Sequence, residues 1–396
     1  MFEAMKLAAR DSRSESPSLE GALPLTHPRR RAKRAKIVST DIVIGQAGSG
    51  KTKEGTTRID ACKFTIGLTT AAQLLDQFPE SFNVKMTIAA FLDGPGSNLV
   101  LGDGSGLYID EISMVDASTL DRILKRAKSA SVVMTGDPFQ IPPFQRKGER
   151  ERLWWFESEE YKRREPTVTH LTEQHRLRGE KNRGIREVLA MVEMQEVGWR
   201  NRLESHLEEI RGSREGAQEM LVFTNEDVVR ETKKWARQHG KVLTKDHICV
   251  GMPGVIRKNK IDREKTRGGR VVYSYRNGTR GDIVYIASTY VQVRTDEGRV
   301  VKVVNDGIRK TIPNVMSAVV GVVDSAQGKT FTERVHVVFN GYIPSPAHLV
   351  TALSRSTVET TCEINDTVAM SKAFADAGFN FKKPAVEFME NNRNKE

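Results

Sequence analysis

The chain has 396 residues, with 62 Lys and Arg against 51 Asp and Glu, 29% charged and 38% hydrophobic residues, and a net charge of +11. That length accommodates two or three domains with an ample core, and the apolar content excludes a globally disordered chain. The most continuous apolar stretch, around Val315–Val323, falls far short of the ~20 residues a bilayer requires, and no secretory apolar run follows Met1, so an intracellular protein is expected.

Residues 1–36 carry nine basic residues against four acidic ones, six of the nine within Arg29–Lys36, after a Ser/Pro-rich segment without apolar periodicity. This reads as a disordered basic arm: a nuclear-import address, a phosphate contact or a solvated tail. The β-branched run of residues 36–44 then feeds into Gly45-Gln-Ala-Gly48-Ser49-Gly50-Lys51-Thr52, a G-x-x-x-x-G-K-T phosphate-binding loop in its required context after a strand. Gly48 and Gly50 let backbone N–H groups face the phosphates of ATP or another NTP. Lys51 reaches the β- and γ-phosphates, and Thr52 suits Mg²⁺. Further on, an apolar strand runs into Asp110-Glu111. Asp110 suits Mg²⁺ through water, and Glu111 suits a base polarising the attacking water. Ser131–Thr135 is a third strand, ending in Gly136-Asp137-Pro-Phe-Gln140, where Gln140 is placed to sense the γ-phosphate or the attacking water.

Trp154 and Trp155 are adjacent aromatics suited to stacking bases or, the favoured reading, to packing. Residues 257–280 hold nine basic against two acidic residues in a Gly-dotted, β-rich region, with strands expected over 271–275, 282–290 and 299–304. A basic face there suits a nucleic-acid backbone, with a solvated loop as the alternative. Cys62, Cys249 and Cys362 are odd in number and widely spaced, so free thiols are expected.

In this order the three nucleotide-site elements resemble motifs I, II and III of superfamily 1 helicases. The resemblance continues in Leu171-Thr-Glu-Gln-His-Arg176, Val323-Asp-Ser-Ala-Gln327-Gly328-Lys-Thr-Phe331 and Leu349-Val-Thr-Ala-Leu-Ser-Arg355, which resemble motifs IV, V and VI. It implies that Arg176 and Arg355 act as fingers on the γ-phosphate, and that Gln327 and Gly328 bind nucleotide with Gly45, Ser49 and the rest of the loop. It also implies that Thr69 and Thr87, in fainter motifs Ia and Ib, bond the nucleic-acid backbone, a turn or cap role being the alternative. Two branches compete. The DEISMVD and GDPFQIPPF strings, and the Asn277-Gly278 turn between Arg276 and Arg280, resemble RecD/Dda-type DNA helicases. The DSAQGKTF and LVTALSRST strings resemble helicases of positive-strand RNA viruses, the branch favoured here. Residues 93–106 are too short for the strand-separating insertion of the DNA enzymes, and no adenine-reading glutamine precedes the loop.

The expected fold is therefore α/β: two RecA-like parallel-sheet domains, 37–165 and 166–396, with a β-rich insertion at 245–313 in the second. The expected function is an NTP-dependent, viral helicase or translocase on single-stranded nucleic acid, RNA slightly ahead of DNA, with Arg276 and Arg280 among the strand contacts. The alternatives are a movement-type RNA-binding protein with an NTPase domain and a RecD/Dda-like DNA helicase.

Overall fold

Strands that are apolar along nearly their whole length must be buried on both faces, and this chain places such strands between helices. The computed structural model describes residues 39–143, 152–194, 196–217, 219–244, 247–258, 260–261, 273–304, 314–376 and 378–393. The basic arm and the middle of the second basic segment, including Arg263, Lys265, Arg267 and Arg270, lie outside the described residues.

Six strands, β1 (Thr40–Gly45), β2 (Phe64–Thr69), β3 (Val84–Thr87), β4 (Ser105–Ile109), β5 (Ser131–Gly136) and β6 (Thr167–Leu171), form one parallel sheet in the order β3-β2-β4-β5-β1-β6. β1 lies between β5 and β6, in register Asp41↔Val133 and Asp41↔Thr167. β6 thus belongs to the first sheet, which runs past the boundary expected at 165: its half-buried residues gain a ladder only beside β1. Helix α1 (Lys51–Ile59) follows the β1 loop directly. Helix α2 (Ala117–Arg126) is capped by Asp116, whose carboxylate accepts from the Thr119 N–H at 2.9 Å, and it buries Leu120, Ile123 and Leu124 at helical spacing.

The second sheet is β15-β7-β16-β17, also parallel, built from β7 (Glu219–Val222), β15 (Gly321–Val322), β16 (Val335–Phe339) and β17 (Thr360–Ile364). Two RecA-like sheets follow, as expected. Between β7 and β15 lies the insertion, an antiparallel sheet in the order β13-β12-β11-β8-β14: β8 (Pro253–Ile256), β11 (Arg280–Ile286), β12 (Tyr290–Thr295), β13 (Val300–Val304) and β14 (Val315–Ser317). A two-stranded ribbon, β9 (Lys260–Ile261) with β10 (Tyr273–Tyr275), accompanies it. The insertion has its own core, around Met252, Ile256, Ile283, Val293 and Val303. It reaches beyond residue 313, because β14 pairs with β8 in register Val315↔Ile256. The strand expected over 282–290 is instead a hairpin, turning where the Ala287 N–H donates to the Tyr290 carbonyl at 2.9 Å.

Trp155 is fully buried and packs edge-on against Tyr161 and Phe388, while Phe156 stacks on Phe388 at 4.6 Å between centroids. Trp154 is buried too, so both tryptophans serve packing. Phe388 lies on the terminal helix Lys383–Arg393, which therefore returns to the first domain. No helix among the described residues is long and apolar enough to cross a membrane, and no disulfide joins any of the three cysteines.

His336, on β16, has no accessible surface, and its Nδ1 lies 2.9 Å from Thr361 Oγ1. Burial holds its imidazole down at about 4 from the ordinary 6.5, against the opposing pull of Glu363. Below pH 6.5 the unfolded chain takes up a proton that the folded chain refuses, so stability is lost as pH falls from 6.5 towards 4. His336→Asn is expected to remove most of this slope, worth about 2 kcal/mol between pH 7.5 and 5, as read from urea midpoints of both proteins at those two pH values.

Candidate nucleotide site between the two domains

The sequence after β1 cannot continue as a strand, because Gly48 and Gly50 adopt φ of +87° and +88°, the left-handed region that side chains avoid. The loop so formed delivers α1 with Gly50 as its N-cap and no side chain bonded to its first N–H groups. Those N–H groups and the helix dipole face a cleft of about 340 Å³. Lining it are Gly48, Gly50, Lys51, Thr52, Asp110, Glu111, Gln140, Arg176, Gly328 and Arg355, ten residues singled out in the sequence from six separate segments.

The segment after β6 straps the loop down. Gln174 Nε2 donates to the Ala47 carbonyl at 2.8 Å, and the His175 N–H donates to the Gly48 carbonyl at 2.9 Å. The contact leaves no room at Gly48, where a Cβ would stand 2.4 Å from Arg176 Cβ. Lys51 Nζ donates to the carbonyls of Gly45 and Gln46 at 2.8 and 2.7 Å, and burial pulls its pKa down against Asp137 and Glu111.

Opposite the loop, Asp110 Oδ1 accepts from Thr135 Oγ1 at 2.5 Å and from the Glu111 N–H at 3.1 Å. Burial, with Glu111 next to it, raises its carboxyl to about 6. Glu111 sits at φ +55°, a strained position for a residue with a side chain, and one characteristic of functional turns. Asp137 accepts from the Phe139 N–H at 2.9 Å and from Gln140 Nε2 at 3.2 Å, orienting the glutamine amide.

Two guanidiniums close the cleft. Arg355 is 1% exposed and donates to the Thr351 carbonyl at 2.9 Å and the Lys329 carbonyl at 3.3 Å. Arg176 donates to the Ser354 carbonyl at 3.4 Å, across from the first domain to the second. Burial, then the charge of Arg355, pushes Arg176 down to about 10. Burial likewise lowers Arg355, against Glu111 and Asp137. Such a pair gains most from a multiply charged anion between them.

Other expected site residues lie elsewhere. Gly45 and Ser49, in the loop itself, do not line the cleft, though Gly45 lends its carbonyl to Lys51. Gln327 does not line the cleft; its buried amide donates to Ser113 Oγ at 3.3 Å and the Ile141 carbonyl at 3.4 Å, tying the domains together. Thr69 has no accessible surface, so its hydroxyl cannot meet a nucleic-acid phosphate. Thr87 caps the helix Ile88–Asp93, accepting from the Ala90 N–H at 3.2 Å. Arg276 reaches Asp76 Oδ1 of the first domain at 2.7 Å, and Arg280 grips both oxygens of Glu219, so each is engaged inside the protein. The sequence reading assigned no role to His175, Lys53, Gln77, Thr330 and Thr357, which also line the cleft. His175 adjoins Arg176 in the chain, but Gln77 becomes visible only once the turn Ala72–Gln77 docks on the second domain, where its amide donates to the Gly328 carbonyl at 3.2 Å.

Residues 29–206 match the family model described as an AAA domain. Among solved structures, the chain is similar to the Pif1 helicase of Bacteroides in complex with ADP-AlF3 and ssDNA, with 19% identity, 90% of this chain and 94% of that one covered, and a TM-score of 0.63. It is also similar to Pif1 helicase from Candida albicans, with 17% identity, 89% and 95% coverage and a TM-score of 0.59. The fold is that of the Pif1 helicases. No curated protein sequence matches the chain.

Gly48→Ala is expected to force the Gln174–Arg176 strap off the loop. The backbone alone loses ~1–2 kcal/mol, and a fluorescent ATP analogue should bind at least about tenfold more weakly, a loss of ~1.4 kcal/mol. Urea melts and equilibrium titration check the two effects separately.

Proposed function

We propose that the chain is an ATP-dependent helicase of superfamily 1, coupling hydrolysis to movement along single-stranded nucleic acid, with DNA ahead of RNA. The observation that carries this reading is the meeting of Lys51, Arg176 and Arg355, from three segments and two domains, around the Asp110-Glu111 step. In this reading the N–H groups of Gly48, Gly50 and α1 bind the phosphates. Lys51 draws charge from the β- and γ-phosphates, and the two arginines neutralise what accumulates on the transferred phosphoryl group. Glu111 polarises the attacking water, and Gln140, held by Asp137, orients it.

Thr52 and Asp110 offer a hydroxyl and a carboxylate, the hard oxygen donors Mg²⁺ takes alongside water and phosphate. The raised carboxyl of Asp110 fits this role, since a cation beside it would offset the cost of its burial. Bound Mg²⁺ supplies charge neutralisation between the phosphates. Arg176 comes from the first domain and Arg355 from the second, so loss of the γ-phosphate removes an anion that neutralises both, and their repulsion then favours opening of the cleft.

The preference for DNA is supported by the similarity to Pif1, which the structure of the Bacteroides enzyme shows with ssDNA. The RNA-virus expectation rests on the motif strings around Gln327 and Arg355 alone. Residues 93–106 hold the short turn Pro95–Asn98, a second turn closed by the Ser105 N–H on the Gly102 carbonyl at 3.0 Å, and no hairpin, so this stretch offers no separating pin. The Arg29–Lys36 cluster remains a candidate nucleic-acid contact or import address in an intracellular protein.

Lys51→Ala and Glu111→Gln are each expected to lower NTP turnover at least about a hundredfold, with Glu111→Gln still binding nucleotide. Normal turnover in either variant refutes the assignment. Stimulation by single-stranded DNA above single-stranded RNA, weakening steeply with salt, is the expected preference; the reverse order restores the RNA reading.

A further inference from the structure

We propose that His175 is a phosphate-binding residue of the cleft, donating through Nε2 to the polyphosphate at the N-terminus of α1; this rests on the nucleotide reading above. The strap fixes where the ring stands. With its backbone N–H on the Gly48 carbonyl at 2.9 Å, His175 projects beside Gly50, where a Cβ would lie 3.3 Å from its Cδ2 and 3.8 Å from its Nε2. The Cδ2–Nε2 edge is thus turned to the uncapped first turn of a nine-residue helix, the place where an anion is stabilised.

The proton on that edge is dictated by the other one. Arg178 Nη2 lies 2.8 Å from His175 Nδ1. A guanidinium only donates, so Nδ1 must accept, and a neutral ring carries its proton on Nε2. Glu173 Oε1 lies 3.3 Å from the same Nδ1. In the imidazolium Nδ1–H turns to that carboxylate, and Nε2 again keeps its proton. In both states a donor faces α1, and no described residue accepts from it. His175 and Arg176 therefore form a consecutive pair on one strap, the histidine reading the bound phosphates and the arginine the transferred one.

A phosphate contact is blind to the base. His175→Ala is expected to raise KM for ATP, GTP, CTP and UTP alike, by about five- to tenfold, while kcat changes less than about twofold. His175→Gln keeps an N–H donor and should recover part of the loss; the exposed ring predicts unchanged melting for both. An unchanged KM, a loss confined to one base, or a fall in kcat alone overturns the proposal. Titration of wild type and His175→Ala with inorganic triphosphate separates the two readings. Weaker binding by the variant, in a protein that hydrolyses no NTP, keeps the phosphate contact and sinks the helicase; equal binding sinks the contact.

Discussion

Two guanidiniums that repel one another, Arg355 buried and Arg176 half-buried, set the terms for the rest of this structure. Arg176 reaches the cleft from the end of β6 in the first sheet, Arg355 from the end of the helix Pro346–Leu353 beside the second. Burial lowers both below the ordinary arginine range. Backbone carbonyls of Ser354, Thr351 and Lys329 hold them in place without neutralising them. The nearby carboxylates are shared with Lys51, which is itself desolvated. A site assembled this way favours a compact polyanion, and it favours it most when both domains are in place.

The elements around the cleft follow from that requirement. The loop needs two left-handed glycines to turn its N–H groups inward, and the Gln174–Arg176 strap needs one of them to lie flat on it. Asp110 and Glu111 stand at the carboxyl end of β4, where a parallel sheet opens to its ligands. The seam beside the cleft is made by one short turn, Ala72–Gln77. Gln73 donates to the Ser325 carbonyl at 3.4 Å, Gln77 to that of Gly328, and Asp76 takes Arg276 of the insertion. First domain, second domain and insertion thus meet at the strand end next to the nucleotide loop. The C-terminal segment adds a second tie, through Phe388 of the terminal helix on Phe156 and through Phe381, just ahead of that helix, on Phe139, next to Gln140.

The nucleotide site was largely legible in the sequence, because each of its parts is a local device. A G-x-x-x-x-G-K-T string, a pair of carboxylates after an apolar strand and an arginine closing a helix each report their own geometry, so ten of the residues named in advance line one cleft. The surroundings of the residues expected to contact nucleic acid were not. Thr69 sits at the end of an apolar run that reads the same whether its last hydroxyl is outside or fully enclosed, and here it is enclosed. Arg276 and Arg280 look like free cations in a basic segment, yet Asp76 and Glu219, 200 and 61 residues away, occupy them. The charge of the segment was visible and its partners were not.

By itself, then, the sequence determined which side chains make up the candidate site: a glycine-rich loop with its lysine, a hydroxyl and a carboxylate of the kind Mg²⁺ takes, a second carboxylate and two arginines, in the order that two RecA-like domains require. Backbone conformation and strand burial impose these choices within a few residues of one another, and so they are written locally. Only the tertiary structure decided that β6 belongs to the first sheet, that the C-terminal helix returns to pack on Trp155, that Gln327 ties the domains together, and that His175 turns its Nε2 edge to α1. Each of these depends on which distant surface is within reach of a side chain, a quantity set by packing and invisible in the spacing of residues along the chain.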